Sequence, residues 1–161
     1  MNLSIPAVCN IVTLWDLKKS IEILGKSSKK KKFNADVLKF DKKRLLVFGS
    51  GKIIATGFKS QLETENFVTG IYPEIEFKRV INITASKKIS PPLKVAQIFK
   101  SDLIVTYEPE LFPALNWKEN GVCFIYYPKG SLILTGAKSI DQLEESYSKF
   151  CHRFNLPTNT L

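Results

Sequence analysis

Histidine and cysteine are scarce in this chain of 161 residues, and it has no long apolar run. His152 is the single histidine, which excludes most zinc sites and every Ser-His or Cys-His catalytic pair that does not use it. Cys9, Cys123 and Cys151 form no C-x-x-C pair, so we expect reduced thiols rather than a disulfide or a metal site. The sequence therefore offers few candidates for a zinc site or for a nucleophile activated by histidine.

Signals for export and for membrane insertion are missing as well. The segment 1–12 has no basic flank and too short an apolar run for a signal peptide. No apolar stretch approaches the roughly 18 residues that a membrane span needs. We therefore expect a soluble, intracellular protein without membrane contact.

Positive charge is what the chain has in excess. Lysine and arginine number 24 and aspartate and glutamate 15, which gives a net charge of +9 and a pI near 9.5. Such an excess favours a polyanionic partner, nucleic acid first and an anionic membrane surface second. Apolar residues make up 44% of the chain and aromatic residues 11%, enough to bury a core, so we expect a folded protein.

The chain repeats itself at an offset of 79 residues, and near its N-terminus the offset is 72. The gap-free match between residues 33–60 and 112–139 predicts two structurally equivalent repeats, which we place at 1–79 and 80–161. The matching segments are 33–60 with 112–139 and, upstream, 10–13 with 82–85.

Each repeat shows the same order of predicted elements. Alternating apolar residues between turn residues predict strands, and apolar residues three and four apart predict helices. The order is strand, helix, three strands, helix, which describes an α+β protein with the helices on one face of an antiparallel sheet. The predicted strands are 10–14, 33–40, 44–48 and 52–56 in the first repeat and 80–85, 115–118, 122–127 and 131–135 in the second.

The first helix of each repeat is predicted from its cap. Asp16 is a suitable N-cap in the first repeat, where Gly25 ends the helix, and Pro91–Pro92 suits a first helical turn in the second. The residues predicted to face inward are Leu17, Ile21 and Leu24 in the first repeat and Leu93, Ala96 and Phe99 in the second.

The closing helices are predicted from capping boxes, Ser60-x-x-Glu63 in the first repeat and Ser139-x-x-Gln142 in the second. The first of these helices must stop before Pro73. The second carries an apolar stripe at helical spacing, which comprises Leu143, Tyr147, Phe150 and Phe154.

Strand alternation divides the sheet residues between two faces. One set, which includes Val47, Ile53 and Ala55, faces the helices. The opposite set has nothing obvious to cover it, and a soluble protein rarely leaves a large apolar face bare unless something binds there. This set comprises Leu46, Phe48, Ile54 and Thr56, their counterparts Ile125, Tyr127, Ile133 and Thr135, and the symmetric positions Asn10, Val12, Asn82 and Thr84.

Two interpretations of this second face are open: a second core covered by a partner or by dimerisation, or a nucleic-acid surface. The minor groove of A·T pairs offers only acceptors, adenine N3 and thymine O2, whereas a G·C pair adds the guanine amino donor. Asparagine amides and threonine hydroxyls donate to such acceptors, and lysines flank the face as phosphate contacts require. The chemistry therefore favours the minor groove of A·T-rich DNA.

Several motifs resemble the core of the TATA-box-binding protein family. The segment 107–115 reads YEPELFPAL, which is similar to the second-repeat signature of that family. The two Thr-Gly-x-Lys copies at 56–59 and 135–138, the segment 48–52 and the opening 10–12 agree with it. The resemblance implies a saddle of ten antiparallel strands with four helices on its convex face. It also implies a nuclear transcription initiation factor, or one in a viral transcription compartment, without cofactor or enzymatic activity.

The resemblance further implies roles for individual residues. The concave face would bind and bend A·T-rich DNA in the minor groove, with aromatic pairs wedged between base steps, as is known for this family. The wedges are Phe33 with Phe48 and Phe112 with Tyr127, the base-reading residues are Asn10, Asn82, Thr56 and Thr135, and the phosphate contacts are Lys39, Lys52, Lys59, Lys118 and Lys138. The residues that match the stirrup for transcription factor IIB are Glu108, Glu110 and Leu111.

The chain departs from the family pattern at several positions. Tyr127 replaces a phenylalanine, Ser131 a lysine and Thr84 an aliphatic residue. A transcription factor IIA-like protein is a further implied partner. The first closing helix, 60–72, is acidic where the family is basic, and this weakens that expectation.

Two rival functions and one charged run remain. An accessory domain beside a DNA glycosylase or ribonuclease H would need a further catalytic domain. A scaffold that has lost DNA binding would not need Asn10, Asn82 and three of the four wedge phenylalanines. The run Lys29–Lys32 is either a solvated loop, a phosphate contact beside Phe33 or a nuclear address.

Overall fold

The structure is a computed structural model that describes residues 5–21 and 35–157. This part of the chain contains eight strands and three helices. They are β1 (Ala7–Asp16), β2 (Ala35–Phe40), β3 (Lys43–Phe48), β4 (Lys52–Phe58), α1 (Gln61–Ile71), β5 (Glu76–Lys88), α2 (Val95–Phe99), β6 (Leu115–Glu119), β7 (Val122–Tyr126), β8 (Ser131–Ala137) and α3 (Ile140–Arg153). The strand order is β2-β3-β4-β1 in the first half of the chain and β5-β8-β7-β6 in the second.

Contacts divide the chain into two compact units. The first unit comprises the described residues of 10–81, and the second comprises those of 1–9 and 82–161. Strand pairing within both units is antiparallel. The repeat boundaries at 1–79 and 80–161 stay a prediction.

In the first unit, alternating residues of β3 and β4 form an aliphatic layer. Leu45 pairs with Ala55 and Val47 pairs with Ile53, and all four side chains are buried. Helix α1 adds the fully buried Val68. Burial at every second position confirms that this set is turned away from solvent, as the sequence pattern predicts.

In the second unit the equivalent layer is aromatic. The ring centroid of Trp117 lies 5.4 Å from that of Phe124 and 6.1 Å from that of Phe150, and each pair is stacked. Tyr147 stacks on Phe150 at 6.1 Å. These rings join α3 to strands β6 and β7, so the predicted stripe on α3 lies in the core, although Phe154 is only half-buried.

Both closing helices begin at the predicted caps. Ser60 Oγ accepts a hydrogen bond from the Glu63 N–H at 3.0 Å, and Ser139 Oγ accepts one from the Gln142 N–H at 3.0 Å. Helix α1 ends at Ile71, before Pro73 as predicted. Such caps satisfy N–H groups that the first helical turn leaves unpaired.

The helix predicted to begin after Asp16 is wrong over the described residues. Asp16 ends strand β1, where it pairs with Lys52, and residues 17–21 are not helical. Lys18 has a φ of 64°, which is incompatible with a helix, and its N–H donates to Asp16 Oδ1 at 2.8 Å. Asp16 therefore caps a local turn instead of a helix. Leu24 and Gly25 lie outside the described residues.

The short helix of the second repeat is correct in its existence and wrong in its phase. Helix α2 begins at Val95, not at Pro91–Pro92, because the backbone of Lys94 ahead of it is extended, with φ −77° and ψ 142°. The Leu93 N–H donates to the Tyr126 hydroxyl at 2.7 Å. Leu93 is buried as predicted, but Ala96 and Phe99 are exposed. Ile98 takes the inward position instead.

The ten strands and four helices implied by the family resemblance are not confirmed. Eight strands and three helices occur in residues 5–21 and 35–157. A further extended segment is present as a single bridge, in which Thr106 and Asn116 exchange two backbone hydrogen bonds of 2.9 Å. Its counterpart at an offset of 79 lies outside the described residues.

Residues 5–21 and 35–157 contain neither a membrane-spanning helix nor a cluster of metal ligands. No helix there combines the length and the apolar character that crossing a membrane requires. Nor do three or more histidine, cysteine or acidic side chains gather there as a metal site would require. The three cysteines are free thiols.

Candidate nucleic-acid interface

In each unit, the face of the sheet opposite the buried residues is here named the open face, and it carries the side chains predicted to point away from the core. On β3 and β4 these are the partly exposed Leu46, Phe48, Ile54 and Thr56, which alternate with buried residues. In the second unit they are Ile125, Tyr127, Ile133 and Thr135. Their placement on one face is confirmed, and their role in binding stays a prediction.

Cross-strand register joins these residues into rows. One row of the first unit is entirely aliphatic and comprises Val37, Leu46, Ile54 and Leu14. The equivalent row of the second unit has a polar residue at each end and comprises Asn116, Ile125, Ile133 and Ser86. Directly opposed residues in an antiparallel pair share a face, so both rows belong to the open face.

Asn10 is fixed on the open face of the first unit by two hydrogen bonds. Its Oδ1 accepts from the Gly57 N–H at 2.7 Å, and its Nδ2 donates to Thr56 Oγ1 at 3.1 Å. The backbone bond determines which end of the amide is the oxygen. One N–H of Nδ2 is left to donate to an acceptor on a ligand.

Asn82 is held in the same way in the second unit. Its Oδ1 accepts from the Gly136 N–H at 2.6 Å, and its Nδ2 donates to Thr135 Oγ1 at 3.3 Å. A further hydroxyl lies beside it, because Thr84 Oγ1 is 2.8 Å from Thr135 Oγ1 and 3.4 Å from Asn82 Nδ2. At the place of Thr84 the first unit has Val12.

The two glycines that hold the amides are required by the backbone. Gly57 has a φ of 93° and Gly136 a φ of 97°, a region that residues with a Cβ rarely adopt. A Cβ on Gly57 would also lie 2.3 Å from the Lys42 carbonyl oxygen. At Gly136 the nearest atom, the Gly121 oxygen, would be 3.5 Å away, which is ordinary contact.

The predicted wedge residues are seen as a pair in the second unit. Phe112 is 42% exposed, and its ring centroid lies 6.1 Å from that of Tyr127 at an interplanar angle of 60°. In the first unit Phe48 is half-buried and pairs with Ala35 in the β2–β3 register. Phe33 lies outside the described residues.

Two segments of the chain match one family of proteins. Residues 5–78 and 77–155 each match the family described as Transcription factor TFIID (or TATA-binding protein, TBP). The matches cover nearly the whole chain, once for each repeat. The chain belongs to the TATA-box-binding protein family.

Individual relatives agree with this assignment. The TATA-box-binding protein of Dictyostelium discoideum is 28% identical over 165 residues, which cover 89% of this chain and 80% of the relative. That of Methanothermobacter thermautotrophicus is 30% identical over 161 residues, which cover 87% and 89%. The solved structure of Methanococcus jannaschii TBP has a TM-score of 0.79 and 23% identity over 94% of this chain and 98% of that one, which shows a common fold.

As a TATA-box-binding protein, this chain is a general transcription initiation factor that binds the TATA box, and it is not an enzyme. The family resemblance found in the sequence is thereby confirmed. The roles of single residues are not decided by family membership and remain predictions.

The lysines expected at the phosphates in this TATA-box-binding protein all have solvent access, and Lys52 is the most shielded. Its Nζ lies 3.8 Å from Asp16 Oδ2, a partly exposed pair that holds the ammonium only weakly. The others are Lys39 and Lys118 on β2 and β6, and Lys59 and Lys138 ahead of α1 and α3.

Arg44 is a basic residue of the open face that the sequence reasoning missed. It pairs with Lys39 on one side and Thr56 on the other, and its guanidinium donates to the backbone carbonyls of Asp41 and Lys43. Its spacing of two from Leu46 is a signal that identifies it. The other open-face residues that were missed, Leu14, Val37, Ser86, Asn116 and Cys123, become evident only from the strand register.

The segment predicted to bind a partner forms an exposed turn. The N–H groups of Leu111 and Phe112 both donate to the Glu108 carbonyl, at 2.8 and 3.0 Å. Leu111 is 79% exposed, and Glu110 is exposed beside it. Neither Glu108 nor Glu110 forms an ion pair with another residue of the described chain.

Proposed function

We propose that the open face binds A·T-rich promoter DNA through the minor groove and bends it with its aromatic residues. The turn at 108–111 then recruits a protein resembling transcription factor IIB. The observation that carries this proposal is the pair of matched amide clusters, in which the Gly57 and Gly136 N–H groups orient Asn10 and Asn82.

Each cluster presents a donor where the minor groove presents acceptors. In the first unit the free N–H of Asn10 matches adenine N3 or thymine O2. In the second unit Asn82 Nδ2 lies within hydrogen-bond distance of both the Thr84 and Thr135 hydroxyls, and the hydrogen that this hydroxyl pair does not use supplies the donor. The isoleucines and leucine at the centre of the rows offer no acceptor to a guanine amino group. Both clusters thus present a donor to the acceptors of A·T pairs.

Affinity that does not depend on sequence comes from the basic residues. A net charge of +9 and the accessible lysines around the open face attract phosphates and displace counterions from the duplex. The bidentate geometry of Arg44 suits a phosphate as well. We therefore expect affinity to fall steeply as salt rises.

Bending is assigned to the aromatic residues on the open face of each unit. Phe112 and Tyr127 lie together and partly exposed, so they can enter a base step without leaving a cavity in the core. Insertion of such side chains unstacks the step and kinks the duplex, at a cost of about a few kcal/mol per step. We assign the same role in the first repeat to Phe48 and, from the sequence alone, to Phe33.

The partner surface is assigned to Glu108, Glu110 and Leu111. Carboxylates repel phosphate, so an acidic turn beside a wedge residue fits a basic protein better than it fits DNA. Leu111 supplies an exposed apolar anchor between them. Helix α1 contains no lysine or arginine, so we do not assign it a transcription factor IIA-like partner. We place this activity in the nucleus.

Equilibrium binding tests the proposal. The whole chain is titrated with A·T-rich and G·C-rich duplexes of equal length across a salt series, and affinity is followed by fluorescence anisotropy. We expect a preference for the A·T-rich duplex of about a thousand-fold or more. Equal affinities at every salt concentration support instead a scaffold that has lost sequence-specific binding.

A further inference from the structure

The two amide clusters differ at one position, two residues after the asparagine. The first unit has Val12 there and the second has Thr84, and both side chains are half-buried on the open face. The register of β1 shifts between Ile11 and Thr13, so Val12 lies within the irregular step. The register of β5 shifts between Ile83 and Thr84, so Thr84 directly follows Ile83 across the irregular step. Equivalent places therefore present methyl groups in one unit and a hydroxyl in the other.

The hydroxyl of Thr84 changes what its cluster can bind. The Thr84 and Thr135 hydroxyls lie 2.8 Å apart, and the Asn82 Nδ2 lies 3.4 and 3.3 Å from them. The bond between the hydroxyls uses one hydrogen and one lone pair, and the amide occupies at most two more lone pairs. At least one hydrogen and one lone pair are left, so this cluster can donate to a base edge or accept from one.

The cluster of the first unit lacks this second option at the equivalent place. Asn10 contacts the single hydroxyl of Thr56, at 3.1 Å from Nδ2, and Val12 adds only methyl groups. A guanine amino group against Val12 loses its bond to water and gains none. Against Thr84 it meets an acceptor.

The surroundings of the clusters differ in the same direction. Leu14 pairs with Ile54 in the first unit, and the equivalent partner of Ile133 in the second unit is Ser86. Likewise Val37 of the first unit corresponds to Asn116 of the second. Polar groups thus replace aliphatic groups around Thr84 as well as at it.

We infer that Thr84 makes the second unit tolerant of a G·C pair in its half of the DNA site, whereas the first unit, with Val12, rejects one. This inference rests on the proposed minor-groove function. It assigns base specificity of different strictness to two units that orient their asparagine amides in the same way.

A position scan tests the inference. Each A·T pair of an A·T-rich site is replaced singly by G·C and, in a parallel set, by inosine·C, which lacks the amino group in the minor groove. The penalty at each position is the dissociation constant measured with the G·C pair divided by that measured with the inosine·C pair. For the wild-type chain we expect penalties of about ten-fold or more at the positions read by the first unit, and at least one position in the other half with a penalty of about two-fold or less.

Four proteins make the scan decisive: the wild type, Thr84→Val, Thr84→Ser and, as the mirror change, Val12→Thr. We expect Thr84→Val to raise the penalty at the tolerant position to about ten-fold, and Thr84→Ser to leave it low. Val12→Thr should lower the penalty at the symmetric position. Thermal unfolding of all four verifies that they are folded, and the serine variant separates the hydroxyl from the shape of the side chain.

Two outcomes overturn the inference. One is a wild-type scan with equal penalties in both halves, and the other is a tolerant position that persists unchanged in Thr84→Val. In both cases the A·T preference remains, so the proposed function stands. If the penalty is near one at every position with all four proteins, the minor-groove amino group has no effect on binding, and this result contradicts the minor-groove function itself.

Discussion

The two units solve the same binding problem with the same amide geometry but fill their cores differently. Asn10 with Gly57 and Asn82 with Gly136 have backbone bonds of 2.7 and 2.6 Å. The cores differ at equivalent strand positions, since β3 buries Leu45 and Val47 where β7 buries Phe124 and Tyr126. Both units bury other aromatic residues as well, such as Trp15 and Phe58 in the first. A base edge fixes the position of a donor, whereas a core has only to be filled.

Surface charge separates the repeats even more clearly than their cores. At the offset of 79, the acidic Glu108 and Glu110 correspond to Lys29 and Lys31 in the sequence. The sequence of the first repeat therefore has a lysine run ahead of Phe33, where the second repeat has two carboxylates ahead of Phe112. The amides that the two repeats share are assigned to DNA, and the carboxylates that only the second repeat has are assigned to a protein partner.

The largest expected effect comes from replacing the asparagine amides of both units at once. In Asn10→Asp with Asn82→Asp, one carboxylate oxygen still accepts from each glycine N–H, but the donor becomes a charged acceptor that faces groove acceptors and phosphates. We expect affinity for A·T-rich DNA to fall about a thousand-fold or more, measured by anisotropy. The melting temperature should hardly change. If the doubly substituted protein binds DNA with normal affinity, the two amides are not part of the DNA interface.

The next effect concerns the acidic turn that the first repeat lacks. Glu110→Arg should weaken the ternary complex with DNA and transcription factor IIB about a hundred-fold, because it places like charges against a basic partner. Binary DNA affinity should be equal or slightly higher, and a mobility shift with and without the factor measures both. Glu144→Arg, the same charge change at an exposed position of α3, is the control. Weaker binding of DNA itself by Glu110→Arg contradicts the assignment.

Alanine substitutions at Gly57 and Gly136 compare how much space the backbone leaves at the two equivalent positions. Both substitutions force a Cβ into a positive-φ region, at a cost of about 1–2 kcal/mol. Gly57→Ala also meets the Lys42 oxygen at 2.3 Å, so we expect it to lose about 3 kcal/mol or more of unfolding free energy. Gly136→Ala has no close contact and should lose only the smaller amount. Urea unfolding measures both, and equal losses show that the close approach at Gly57 relaxes without cost.

Phe112→Ala should affect bending more than stability. The ring is 42% exposed, so its removal should reduce the unfolding free energy by about 1 kcal/mol or less. End-to-end energy transfer on labelled DNA should show a smaller bend. Phe124→Leu is the matched control, because this ring is fully buried in the same unit and its loss should cost about 1–2 kcal/mol while leaving the bend intact. A large loss of unfolding free energy with an unchanged bend in Phe112→Ala would place this ring in the core.

The smallest effect uses two native thiols of the second unit. Cys123 pairs with Thr135 on the open face, whereas Cys151 is buried, and burial raises the pKa of the Cys151 thiol. A raised pKa keeps this thiol protonated and unreactive at neutral pH. A·T-rich DNA should slow alkylation of Cys123 several-fold, and Cys151 should react only after unfolding, as peptide mass mapping shows. An unchanged Cys123 rate with DNA bound contradicts an interface on this face.

Sequence patterns predicted the features that depend on local chemistry. Alternation identified the buried and open faces of β3, β4, β7 and β8, and the serines at 60 and 139 identified two helix starts. Local signals misled where a tertiary bond was stronger. Asp16 resembles a helix cap but lies opposite Lys52 in a strand, and Leu93 follows two prolines but exchanges hydrogen bonds with the Tyr126 hydroxyl ahead of α2.

The geometry of the binding site lay beyond such signals. Asn10 is bonded to a glycine 47 residues away, and Asn82 to one 54 residues away, so only the folded sheet brings each pair together. The Thr84–Thr135 hydroxyl pair likewise depends on the β5–β8 register. The family resemblance indicated which residues to examine, but not how the amides are oriented.

Binding to inosine·C duplexes tests the central claim most directly. When every A·T pair of a bound site is replaced by inosine·C, the major groove becomes that of G·C while the minor groove keeps no amino group. If the open face reads the minor groove through Asn10 and Asn82, the affinity should stay within about ten-fold of the A·T value and far above that of the matched G·C duplex. An inosine·C duplex that binds as weakly as G·C contradicts minor-groove recognition by this face.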